Sequence, residues 1–122
     1  MRNYILCILL FSFGYSTVIN IPSDYNTIQE GLDVSVEGDT VLVSEGEYFE
    51  NLILDKEIIL ASHAIYDQLD TNWISNQYIV GTIINGGQHP IGSNKGSCLI
   101  IRDNDINPLI FGFTFKDVLS SM

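Results

Sequence analysis

The chain has 122 residues, 46% of them hydrophobic, and fifteen acidic against five basic side chains, for a formal charge of −10. That length supports a single core and no second independent domain. That charge excludes a nucleic-acid partner, because binding phosphates requires Lys and Arg to neutralise them.

Residues 1–16 read as a secretory signal peptide. Arg2 supplies the positive start, "YILCILLFSF" the apolar run, and Gly14 and Ser16 the small residues before a cleavage point at Thr17. The run is shorter than the roughly 18 to 20 residues that span a bilayer, so no stable membrane span is expected after cleavage. Cys7 leaves with the leader. Cys98 then remains alone, which precludes an intrachain disulfide, and its place beside Leu99 reads as a small buried hydrophobe.

Residues 17–39 form the next segment. Thr27 followed by Glu30 makes a capping box, in which the hydroxyl accepts from one amide and the carboxylate from the other. Ile28, Leu32 and Val36 then recur at helical spacing, so "TIQEGLDVSV" is expected to be a short amphipathic helix. Such a helix is unstable alone and must lie on something apolar.

From residue 40 to 122 the period changes from helical to two. Val41 and Val43 share a face, as do Leu52 and Leu54, Ile58 and Leu60, Leu99 and Ile101, and Phe113 and Phe115. The interior is expected to be aliphatic and aromatic throughout. The linkers lack the Asn-Gly and Asp-Gly pairs that favour two-residue hairpins, which argues against a meander or a two-sheet sandwich. An excursion of mixed polarity, residues 63–80, interrupts the strands and has room for a helical turn.

Thr27 to Glu30, Gly38 to Asp39, Val41 to Val43, Gly46 to Tyr48, Glu50 to Asn51 and Thr82 to Ile84 occur in an order that resembles the opening of secreted proteins of the pectin lyase-like superfamily, including pectin methylesterases. The resemblance covers about residues 21–117. It implies an all-β, right-handed parallel β-helix, a solenoid whose N-terminal end is closed by the short helix. The strand phrase "FGFTFKD" close to Met122, with no second cap after it, leads to the expectation that the chain is the N-terminal portion of a longer protein.

Chemical motifs are sparse. "DNDIN" imitates the start of an EF-hand loop, but Pro108 replaces the required Gly and Thr114 the bidentate Glu. A looser calcium site on Asp103, Asp105 and Asn107 stands beside the reading as a solvated turn. No other cofactor is expected. "GGQHPIGSNKG" has Ser93 where a phosphate loop needs Lys, and no Gly-x-Ser-x-Gly elbow is present. His63 and His89 belong to no metal motif. Glu45, Glu47 and Glu50 lie near Tyr48 and Phe49, the residue types of a glycosidase site, though acidic residues on outward strand positions are ordinarily solvated. Tyr48 and Trp73 are candidate sugar contacts, with wall packing as the alternative for Trp73.

The expected function is an extracellular structural or binding scaffold with no catalytic site within these residues. Its partners would be extracellular polysaccharide or downstream domains of the same chain. The alternative is the N-terminal part of a polysaccharide esterase or lyase whose active site lies beyond residue 122.

Overall fold

The computed structural model describes residues 15–69, 72–87 and 96–117. The leader, His89, most of the glycine-rich stretch and the C-terminal continuation therefore lie outside the described residues. The elements in chain order are β1 (Val18–Ile21), α1 (Ile28–Val34), β2 (Thr40–Val43), β3 (Gly46–Phe49), β4 (Leu52–Leu54) and β5 (Ile59–Ser62). Two 3-10 turns (His63–Tyr66 and Trp73–Ser75) and α2 (Gln77–Gly81) follow, then β6 (Thr82–Asn85), β7 (Leu99–Ile101), β8 (Leu109–Phe111) and β9 (Thr114–Lys116).

The strands form three parallel sheets, ordered β1-β2-β5-β8, β3-β6-β9 and β4-β7. From β2 onward the chain visits them in rotation: β2, β3, β4, then β5, β6, β7, then β8 and β9. All the pairings are parallel, as the absence of hairpin signals led one to expect.

This rotation stacks like on like. Ile19, Val41, Leu60 and Ile110 are successive partners in one column, Tyr48, Ile84 and Phe115 in a second, and Leu52 and Leu99 in a third. Val41, Leu60, Ile84 and Leu52 are fully buried, and they belong to one apolar cluster with Ile21, Ile28, Leu32 and Leu54. Alternation of period two thus becomes a core because each circuit lays its inward side chains on those of the one before.

The interior is not aliphatic throughout. Ser62, Thr82 and Asn85 are buried as well, and all three sit at strand ends. At a corner the ladder stops and leaves backbone groups to be satisfied, which favours side chains able to hydrogen-bond. This accounts for Ser62 and Asn85, whereas the Thr82 hydroxyl is buried without a hydrogen-bond partner. The Ser62 hydroxyl accepts from Ala64 N. The Asn85 carboxamide donates to Glu47 and Asp117 carboxylates and accepts from Gly87 N.

β1 and β3 are strands beyond those expected; in β1 Ile19 and Ile21 alternate inward. In "GEYF" only Tyr48 is even half-buried, so no apolar alternation exists to be read.

α1 replaces a whole circuit. It joins β1 to β2, neighbours in one sheet, and packs against β1, β2 and β4. Thr27 Oγ1 accepts from Glu30 N at 3.1 Å and Glu30 Oε2 accepts from Thr27 N at 3.4 Å, which forms the capping box. The two Glu50 carboxylate oxygens accept from Ile28 N and Gln29 N at 2.9 and 3.0 Å, placing negative charge where the helix dipole is positive. At the other end Lys56 Nζ donates to the carbonyls of Leu32, Asp33 and Ser35, at 2.9, 2.8 and 2.8 Å. Both helix ends are therefore held by residues of the strand layer.

Between them Gln29 does what a strand would do. Its Oε1 accepts from Ile53 N at 2.9 Å and its Nε2 donates to Ile53 O at 3.1 Å, so one carboxamide pairs with both backbone groups on the lower edge of β4. The helix stops at Val34. Val36, expected on its apolar stripe, is 62% exposed, because Ser35 turns into an extended conformation and Asp39 Oδ2 takes the Val36 amide.

Gly31 sets the distance between helix and sheet. A Cβ there would lie 2.9 Å from Ile21 Cδ1 and 3.2 Å from Val41 Cγ1. Gly31→Leu is expected to lower unfolding free energy by about 1–3 kcal/mol through overpacking, measured by urea denaturation followed by circular dichroism. Gln29→Met keeps the length of the side chain but strands both Ile53 groups. A loss of about 1–3 kcal/mol is expected, and an unchanged urea midpoint would show that the Gln29–Ile53 pairing contributes nothing.

Candidate functional site

The chain passes from the first sheet to the second three times. The first passage uses Ser44 and Glu45, the third Gly112 and Phe113, and the second residues 63–81. Two residues suffice to turn this corner, so the fold does not require the longer segment. Long connections with structure of their own are where function concentrates, and in stacked-repeat proteins insertions gather on one, often binding, face.

The insertion is organised by its own polar side chains. Asn76 Oδ1 accepts from Tyr78 N and Ile79 N at 2.9 and 3.2 Å, capping α2, while Asn76 Nδ2 donates to Asp67 Oδ2 at 2.8 Å. Thr114 Oγ1 donates to Ile79 O at 2.7 Å and so ties α2 to β9. The His63 ring lies 6.3 Å from that of Tyr66 and 5.8 Å from that of Tyr78. The root of the insertion is pressed against the third corner. Gly112 has φ of +83°, and a Cβ on it would collide with Ser62 Oγ and stand 3.1 Å from Ala64 Cβ.

A groove of about 490 Å³ opens between the insertion and the third circuit, lined by Leu69, Trp73, Ile79, Phe111, Gly112 and Phe113. Large apolar side chains of the insertion face solvent: Tyr66 is 69% exposed, Ile74 73%, Trp73 58% and Val80 53%. A second apolar hollow of about 440 Å³ is lined by Ser97, Cys98, Leu99, Ile110 and Phe115 on the last described circuit.

The other residues singled out in the sequence are dispersed. Thr27 and Glu30 belong to the helical floor. Glu50 serves the α1 amides, and Glu47 accepts from Asn85 and lies 3.6 Å from Lys116 Nζ. Glu45 abuts Gly81 at the base of the insertion. Asp103, Asp105 and Asn107 are exposed on the link from β7 to β8, where Asp103 Oδ1 accepts from Asp105 N at 3.0 Å as in a polar turn. Among the described residues no group of three or more His, Cys, Asp or Glu side chains could hold a metal ion.

Tyr48 faces inward. It packs against the core cluster, and its hydroxyl donates to Ser44 O at 2.8 Å. Burial, and secondarily the Glu50 carboxylate, raise its pKa above the ordinary tyrosine value.

Sequence reasoning missed Gln29, Lys56 and Asn76. An Asn before "QYIV" is a readable helix-capping signal. Nothing in the sequence marks Lys56, whose acceptors are carbonyls more than twenty residues away.

No family model matches the chain, and no solved structure matches it. It is similar to a cell surface glycoprotein of the archaeon Methanothermus fervidus, 28% identical over 108 residues, which cover 80% of this chain and 18% of that protein. Among the described residues no helix is long and apolar enough to cross a membrane.

The raised Tyr48 pKa carries a pH dependence. The folded chain holds this proton to higher pH than the unfolded chain, whose tyrosines titrate near 10. The stabilisation is complete below about pH 10 and is lost as pH rises through the folded value. Urea midpoints measured at pH 8 and pH 11 should fall less in Tyr48→Phe than in the parent chain.

Proposed function

We propose that this chain forms the capped first circuits of a right-handed parallel β-helix and serves at the cell surface as a structural or binding scaffold, with the corner insertion as its display element. The observation that carries this reading is the rotation of one chain through three parallel sheets above a helical floor. Parallel strands of one sheet joined through a crossover are right-handed in about 98% of cases, which supports that hand for the β1–α1–β2 unit and for the later circuits. A stacked core needs a cap at its end because each repeat buries its faces only against its neighbours, and α1 fills that need.

A surface location is supported by the similarity to a cell surface glycoprotein and by the secretory character of residues 1–16. The chain spans about a fifth of that relative. In this reading the columns supply rigidity and the insertion supplies recognition, which accords with function residing in sites grafted on a fold.

The location is tested by treating intact cells of the source organism with a protease that cannot enter them. Digestion of the chain in intact cells is the expected result. Protection until the cells are lysed would overturn the surface assignment. A crystal structure winding with the opposite hand would overturn the architectural part.

A further inference from the structure

We infer that the corner insertion is a docking face for a cationic amphipathic segment of another polypeptide, which would bury an apolar side chain in the groove beside Trp73 and set Lys or Arg against the negative charge of the chain. The inference goes beyond the scaffold role and does not depend on the location of the chain.

Three observations carry it. First, residues 63–81 stand where other circuits have a two-residue corner, and the described part is braced by the Asn76, Asp67 and Thr114 hydrogen bonds. A segment that merely linked two strands would need none of these.

Second, the segment displays what a folded chain ordinarily hides. Tyr66, Trp73, Ile74 and Val80 are all more than half exposed, on the segment that forms one wall of a groove with an aromatic and aliphatic lining. Aromatic side chains flanking a pocket are the usual anchors of protein interfaces. The lining residues bring no charged, hydroxyl or amide side chain to bind the hydroxyls of a sugar, which turns the choice away from a glycan.

Third, the electrostatics name the sign of the partner. From Glu57 to Asn94 the sequence contains no Lys or Arg. Asp67 and Glu45 lie on or against the insertion, and the chain as a whole carries −10. Of the described basic side chains, Lys56 is committed to the end of α1, Lys116 lies 3.6 Å from Glu47, and Arg102 is exposed on the link from β7 to β8, outside the insertion. An apolar face on a segment free of Lys and Arg, in a chain of net negative charge, attracts a segment of the opposite pattern and speeds its encounter. It also repels anionic lipid.

Trp73 is the only tryptophan in the chain, so its fluorescence reports on this face alone. The experiment titrates the full chain with a synthetic amphipathic helical peptide of Leu and Lys, and in parallel with its Leu and Glu counterpart and with phosphatidylcholine and phosphatidylglycerol vesicles. The Leu-Lys peptide is expected to shift Trp73 emission to the blue, saturably, with at least tenfold tighter binding than the Leu-Glu peptide and weakening as salt is raised. The double substitution Ile74→Ser and Val80→Ser, both at exposed positions, should reduce that affinity at least tenfold with an unchanged circular dichroism spectrum. Equal binding of the two peptides, or no shift with either, overturns the inference. A shift with vesicles alone replaces the polypeptide by a membrane, and a concentration-dependent shift without any additive replaces it by a second copy of the chain.

Discussion

The whole arrangement depends on how the lowest strand edge is satisfied. A stack of parallel strands begins with a row of unpaired amides and carbonyls, and buried backbone groups without partners cost more than most side-chain contacts return. Here a seven-residue helix lies across that edge, and its side chains reproduce the missing ladder where it matters. Gln29 offers Ile53 the donor and the acceptor that a neighbouring peptide would offer, while Glu50 and Lys56 reach from the strand layer to the two ends of the helix. Each participant satisfies the other, so the helix and the first circuit stabilise one another.

Once that edge is closed, the remaining order follows from stacking. Partner residues one circuit apart repeat in chemical type, so Val41 rests on Ile19 and Leu60 on Val41, and the buried columns grow without any new design. The buried polar residues of the strands sit where the chain bends, and two asparagines near these bends act between circuits. Asn51 Nδ2 donates to Gly86 O and Ser97 O at 2.8 and 2.9 Å, binding a corner of one circuit to the next. Asn85 does the same for the carboxylates of Glu47 below it and Asp117 above.

The division between what was legible and what was not follows this physics. Short-range signals survived: the Thr27–Glu30 box, the period-two runs around Val41, Leu52 and Leu60, and the missing hairpin pairs all depend on residues a few positions apart. Elements whose identity depends on distant partners did not. β3 is a strand because Gly46–Phe49 pairs with Thr82–Asn85, and Val36 leaves the helix because Asp39 captures its amide. The candidate site was half visible. Trp73 stood out by its type, but its groove needs Phe111 and Phe113, some forty residues downstream, and only the stacking of circuits brings them together.

The position of the insertion within the stack bears on how such a chain can change. Circuits above and below turn the same bend with Ser44–Glu45 and Gly112–Phe113, and the strands that flank the insertion keep step with their neighbours on either side. Residues 63–81 can therefore be lengthened, shortened or exchanged as a cassette, provided that Ser62 and Thr82 remain as its two posts. A protein engineer can graft a new loop at this corner while the stacked strands beneath it keep their pairing.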